Sequence, residues 1–160
     1  MSVCDQNTSV EELLDQLERV SENCRTSALL IQVPPPEVED VLKPLCHAYW
    51  DGSVQDRRLI WDAIGGTPGL LNCLLGYVWT AAERLRETGE VGWLRTGLAA
   101  AAIQGERAHH RDFLLALADL YVSAEEAGLD PEPWLEQAGG GIPAGFGEYA
   151  VVRSRRRCAS

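Results

Sequence analysis

The amino-acid sequence predicts an all-α fold of about seven helices, arranged as an antiparallel bundle or a short α-solenoid of HEAT type, with a disordered C-terminal tail. Three observations predict it. Apolar residues recur at helical spacing along most of the chain up to residue 138. Proline, glycine and capping residues punctuate that pattern at intervals suited to helices. No stretch has the period of two expected of a half-buried strand, and the short apolar run from Tyr149 to Val152 has no second strand to pair with.

The first helix opens at Ser9, which has Glu12 three residues on in the capping-box arrangement; Thr8 with Glu11 offers the same signature one residue earlier. Val10, Leu13, Leu14, Leu17, Val20, Cys24 and Ala28 mark its apolar face, which runs to about Gln32. Pro34-Pro35-Pro36 then end it. The second helix starts in these prolines or just after, with Val38, Val41, Leu42, Leu45 and Tyr49 on one stripe. Pro44 lies within that pattern and predicts a kink or a break. Asp51-Gly52 is a turn signal. Ser53, with Asp56 three residues on, caps a short third helix that points Leu59, Ile60, Ala63 and Ile64 inward and stops at Gly65-Gly66.

Thr67 caps the fourth helix, with Pro68 at its first position. This helix is the most apolar, through Leu70, Leu71, Leu74, Leu75, Val78, Trp79, Ala82 and Leu85, and Gly89 ends it. Asn72, Gly76 and Thr80 recur every four residues as a strip of smaller side chains, which predicts a close helix contact. The fifth helix spans about Val91 to Gln104, with Trp93, Leu94, Gly97, Leu98, Ala101 and Ala102 available for packing. Its run Ala99 to Ala102 has high helix propensity and low volume, which suits a helix held between neighbours. The sixth begins between Arg107 and Asp112 and ends at Gly128. It turns Phe113, Leu114, Leu117, Leu120, Tyr121 and Ala124 inward and Asp119, Ser123 and Glu126 outward. Asp130-Pro131 reads as a cap and first-position pair for a short seventh helix through Trp134 and Leu135. Residues 1–138 therefore form one helical domain, and 139–160 form a glycine-rich segment and a basic tail.

The chain has 160 residues, 46% of them hydrophobic and 24% charged, so a single core can form without staples and wholesale disorder is excluded. Net charge is −10; with Arg153, Arg155, Arg156 and Arg157 set apart, the remainder carries about −14. Such a body repels phosphate backbones, which argues against nucleic acid as a partner. It either suits a basic protein partner or keeps the chain soluble. The Arg153–Arg157 tail has too few charges, and no interleaved aromatics, to specify a ligand. The five cysteines, Cys4, Cys24, Cys46, Cys73 and Cys158, show neither zinc-knuckle nor disulfide-framework spacing. With a polar, acidic N-terminus that lacks signal-peptide features and no apolar stretch of membrane-spanning length, they predict a cytoplasmic protein. Lys43 is the only lysine among fourteen basic residues, a bias expected of a GC-rich bacterial coding sequence.

From Trp93 the chain reads Trp-Leu-Arg-Thr-Gly-Leu-Ala-Ala-Ala-Ala-Ile, then His-His-Arg-Asp-Phe-Leu-Leu-Ala-Leu-Ala-Asp-Leu-Tyr, then Ala-Gly-Leu-Asp-Pro. Over about residues 93–138 it resembles an uncharacterised group of bacterial all-helical, HEAT/armadillo-like proteins. In that group a glycine-leucine helix of small residues precedes an Arg-Asp pair, an apolar helix and a Gly-Leu-Asp-Pro end. The matching positions are Gly97, Leu98, Arg111, Asp112, Leu117, Tyr121, Gly128, Leu129, Asp130 and Pro131. The chain departs from the pattern at Gln104-Gly105, where an acid is expected and Glu106 is displaced. The resemblance implies a helical-repeat-like fold and no assigned activity. No repeat of fixed period is visible in the chain.

The candidate metal ligands are Glu106, His109, His110 and Asp112. Glu106 and His109 have the Glu-x-x-His spacing of carboxylate-bridged sites in helix bundles, but a second such motif is missing. The plainer reading is a polar helix start, with Asp112 capping and Arg111 paired to an acid, or Arg111-Asp112 as a buried ion pair that fixes helix register. Cys46 and His47 are adjacent and point about 100° apart on a helix, which disfavours a nucleophile–base pair. Gly65-Gly66-Thr67-Pro68-Gly69 lacks the order and the lysine of a phosphate-binding loop. Thr67, Pro68, Asp130 and Pro131 are structural, and no cofactor motif is present. Of the five tryptophans, Trp50, Trp61, Trp79, Trp93 and Trp134, any exposed ring marks a binding surface. The expected function is that of a non-enzymatic acidic helical binding protein, an adaptor, inhibitor or immunity-type protein acting by surface complementarity on another protein. The alternatives are a metal-binding protein or enzyme centred on Glu106–Asp112, or a self-associating structural subunit.

Overall fold

The computed structural model describes residues 9–24, 36–104 and 111–138. Every element in them is a helix: α1 (Val10–Cys24), α2 (Pro36–Asp51), α3 (Val54–Gly65), α4 (Pro68–Thr88), α5 (Val91–Gln104), α6 (Arg111–Glu126) and α7 (Glu132–Ala138). The all-α class holds. The proposed continuation of α1 to Gln32 and the tail after Ala138 lie outside the described residues.

The architecture is organised around α5, which packs against α2, α3, α4, α6 and α7. Every residue from Thr96 to Gln104 is buried. A helix apolar on all sides is stable only when enclosed. The run Ala99 to Ala102 keeps this one thin enough for several neighbours to close on it. At Gly97 the fit is tightest: an added Cβ would lie 2.8 Å from Leu120 Cδ2 of α6 and 3.0 Å from Ala81 Cβ of α4. α4 and α5 form an αα-hairpin across Gly89-Glu90. Gly89 takes φ 69°, and its N–H donates to the Leu85 carbonyl at 2.8 Å, a left-handed turn that suits glycine. In the predicted small-residue strip of α4, Gly76 and Thr80 are buried and Asn72 is exposed; the Thr80 hydroxyl donates to the Gly76 carbonyl at 3.0 Å.

Several local expectations are corrected. Of the two outcomes expected at Pro44, the break does not occur: α2 runs through it as one helix. The missing proline N–H affects the Asp40 carbonyl one turn earlier, and Asp40 and Pro44 are both exposed, so water can serve that oxygen. In α3 only Ile60 and Ile64 are buried; Leu59 is 38% exposed and Ala63 is exposed, because α3 offers the core a single narrow stripe. Ser123 of α6 is fully buried, with its hydroxyl satisfied internally by donation to the Asp119 carbonyl at 2.7 Å. Asp112 is exposed in the first turn of α6, where a carboxylate suits the helix dipole, and so it forms no buried pair.

The helix ends show which capping residues act. The Glu12 N–H donates to Ser9 Oγ at 3.2 Å. Ser53 and Asp56 form a complete capping box: the Asp56 N–H donates to Ser53 Oγ at 3.1 Å, and the Ser53 N–H donates to Asp56 Oδ2 at 3.3 Å. Thr67 occupies the cap position of α4, but its hydroxyl turns back and donates to the Ala63 carbonyl at 3.4 Å, serving the end of α3. Pro68 follows at the first position of α4, as expected. α6 ends in a Schellman motif: Leu129 N–H donates to the Ala124 carbonyl at 2.9 Å, Gly128 N–H to the Glu125 carbonyl at 3.0 Å, and Gly128 has φ 80°. The α7 cap is displaced by one residue from the sequence reading. The Pro131 carbonyl accepts from Leu135 N–H at 3.0 Å, so Pro131 is the cap, while Asp130 Oδ1 accepts from Glu132 N–H at 3.1 Å.

This geometry predicts the effects of four substitutions. Gly97→Val forces a branched side chain between α4 and α6 and lowers unfolding free energy by about 2–3 kcal/mol in urea denaturation. Gly92→Ala, with nothing within 4 Å of its added Cβ, leaves stability unchanged or slightly raised. Ser53→Ala costs about 1 kcal/mol, whereas Thr67→Ala costs less than about 0.5 kcal/mol because no helix N–H depends on its oxygen.

Candidate interaction surface

Charge is distributed unequally between the outside of the molecule and the seams between helices. On α1, Leu13 and Leu17 are buried and Glu11, Glu12, Asp15, Glu18 and Glu22 are exposed. Glu11, Asp15, Glu18 and Glu22 share one face at helical spacing. Arg19, also exposed, donates through Nε to the Asp15 backbone carbonyl at 3.4 Å and forms no ion pair among the described residues. Glu37 and Asp40 of α2 are also exposed. Among the described residues none of these seven carboxylates belongs to an ion pair.

The arginines of α4 and α5 are used between helices. Arg84 lies 3.6 Å from Glu39 of α2 and 3.3 Å from Glu87. Arg86 pairs with Asp119 and, at 3.3 Å, with Glu126, both on α6. Arg95 reaches Asp51 of α2 at 2.8 Å. These three arginines are thus spent on ties between helices, while Arg19, Arg57 and Arg58 are exposed and belong to no ion pair among the described residues.

A second feature lies where α2, α5 and α7 meet. The rings of Trp50 and Trp134 are 6.2 Å apart and tilted by 42°, and both are half-buried. The Arg95 guanidinium carbon is 5.8 Å from the Trp50 ring centroid. Asp51, which accepts from Arg95, also lies 3.1 Å from His47 Nε2 through its other oxygen. Arg95 Nε is buried without a hydrogen-bond partner. Deeper in the same region Trp93 is buried, with Lys43 Nζ 4.0 Å above its ring and Tyr77 tilted against it at 6.5 Å. The Tyr77 hydroxyl donates to Thr96 Oγ1 at 3.0 Å. Around the end of α6, burial raises the Tyr121 hydroxyl above its ordinary range, and the carboxylates of Glu125, Glu132 and Asp130 raise it further.

Sequence reasoning reached the tryptophans but not their polar partners. Asp51 was legible only as a turn residue. Arg95 had one available signal, a single charge within an otherwise apolar helix.

The predicted metal ligands Glu106, His109 and His110 lie outside the described residues; Asp112 is exposed, and of Arg111 only the backbone, at the start of α6, is described. Among the described residues no group of three or more histidine, cysteine or acidic side chains is placed to hold a metal ion. No described helix is long and apolar enough to cross a membrane. Cys46 is fully buried, and burial pushes its thiol far above the ordinary range, so it packs as an inert, neutral side chain. The neighbouring His47 is exposed. Compared with protein-family models, with curated proteins and with solved structures, the chain matches none.

The buried thiol has a consequence at alkaline pH. In the unfolded chain Cys46 ionises above about pH 8.5, while in the folded protein it stays protonated. The folded state then binds more protons, so stability is intact below that pH and falls as pH rises through it. One such group contributes a slope of up to about 1.4 kcal/mol per pH unit. Tyr77, also raised chiefly by burial, adds to the loss above about pH 10. Urea denaturation between pH 7 and 10 reads this slope, and Cys46→Ala reduces it.

Proposed function

We propose that this protein is a binding protein, an adaptor, inhibitor or immunity-type protein, that recognises another protein presenting a basic surface. The supporting observation is the division of charge: the arginines of α4 and α5 are committed to seams between helices, and Glu11, Glu12, Asp15, Glu18, Glu22, Glu37 and Asp40 of α1 and α2 belong to no ion pair among the described residues. Such a surface steers a basic partner toward encounter and disfavours acidic ones. The half-buried Trp50–Trp134 pair supports the same reading, since tryptophan is the residue most enriched where interfaces carry their energy. A cytoplasmic, bacterial setting belongs to this reading, and the buried free thiol of Cys46 suits it.

Affinity capture with the full-length protein, followed by association kinetics with the retained partner, tests the proposal. The expected partner is stoichiometric, and its association rate falls about 10-fold or more between 50 mM and 500 mM salt. Reversing the α1 stripe (E11K, D15K, E18K and E22K together) slows association by a similar factor while the helical circular dichroism is retained. An association rate indifferent to salt and to this variant rules out recognition by charge.

A further inference from the structure

α7 differs from the other helices in how it is held. Each of α1 to α6 contributes at least two fully or nearly fully buried side chains to the core, whereas those α7 turns inward, Trp134 and Leu135, are only half-buried. The element has seven residues, against the roughly 12–15 that an isolated helix needs even to be marginal in water. Among the described residues it packs chiefly against α5, and its aromatic contact with α2 is a single ring pair, Trp134 on Trp50. The corner it joins is not a dry core: Trp50 carries the Arg95 guanidinium on its other contact, and Arg95 Nε is buried with no acceptor. An unsatisfied donor costs free energy that hydration would recover. A fixed pivot precedes the helix, because Gly128 in the left-handed conformation and the buried Pro131 set the chain direction before α7 begins.

We infer that α7 is a strap that opens and closes as one unit on a helical body that stays folded, and that its release uncovers Trp50 and the Arg95 guanidinium. The closed state is held by the Trp50–Trp134 contact and by Leu135 against the core. Opening breaks no ion pair found among the described residues, since all of those lie on α2, α4, α5 and α6. This inference stands independently of the identity or existence of a partner.

Native-state amide hydrogen exchange of the full chain, followed by NMR at increasing sub-denaturing urea, is the test. The amides of Leu135, Glu136 and Gln137 are expected to share one opening constant, to exchange at least about 100-fold faster than those of Leu98 to Ala101, and to respond little to urea. Trp134→Ala is expected to speed all three by the same factor, about 10-fold, with α5 protection unchanged. Two results overturn the inference. Exchange of the three amides at the rate and urea dependence of α5 shows that α7 opens only with the whole protein. A gradient of rates rising from Leu135 to Gln137, untouched by Trp134→Ala, shows an end that frays residue by residue.

Discussion

Enclosing α5 on all sides is the constraint from which the rest of this structure follows. From Thr96 onward this helix has no face to give to water, so each side chain there must either be small or find a slot in a neighbour. Gly97 and Ala99 to Ala102 meet the first condition, and Leu98 and Ile103 the second. Its polar side chains need internal partners: Thr96 accepts from Tyr77, and Gln104 donates through Nε2 to the Leu71 carbonyl at 3.0 Å. The surrounding helices are then free to be ordinary amphipathic ones, each with one stripe facing inward. α3 needs only Ile60 and Ile64 for this, and α1 needs little more than Leu13 and Leu17.

The same arrangement determines where charge ends up. Helices packed around a thin centre meet along seams near the surface, and the long arginine side chains bridge those seams. Arg84 ties α4 to α2, Arg86 ties α4 to α6, and Arg95 ties α5 to α2. Partly exposed pairs of this kind add little stability individually, on the order of 0–1 kcal/mol each. Their larger effect is on what remains. A chain with 24 acids and 14 basic residues that ties Arg84, Arg86 and Arg95 to acids at these seams keeps an unpaired acidic stripe on α1.

Much of the fold was legible because it rests on local rules. The α5 boundaries, the Ser53 capping box, the Gly89 turn and the Gly128 end of α6 each depend on residues within a few positions of one another, and each is found where the sequence places it. What was misread depends on tertiary surroundings. Pro44 is tolerated because its side of α2 faces water. Ser123 is buried because a hydroxyl can bond its own helix backbone, and no periodicity shows that. Thr67 has the right identity for a cap but serves the preceding helix. The candidate surface was legible as a net charge and a count of tryptophans. It was not legible as a place, because Asp51 and Arg95 are 44 positions apart and Trp50 and Trp134 further still, and nothing local brings them together.

Lys43 sits over the ring of buried Trp93, and it is the only lysine in the chain. Side-chain amine chemistry on this protein therefore has a single address. An acyl group, a crosslinker or a fluorophore directed at lysine lands on one atom of α2 and at the same time removes the positive charge from an indole face. The label reports on the contact it replaces.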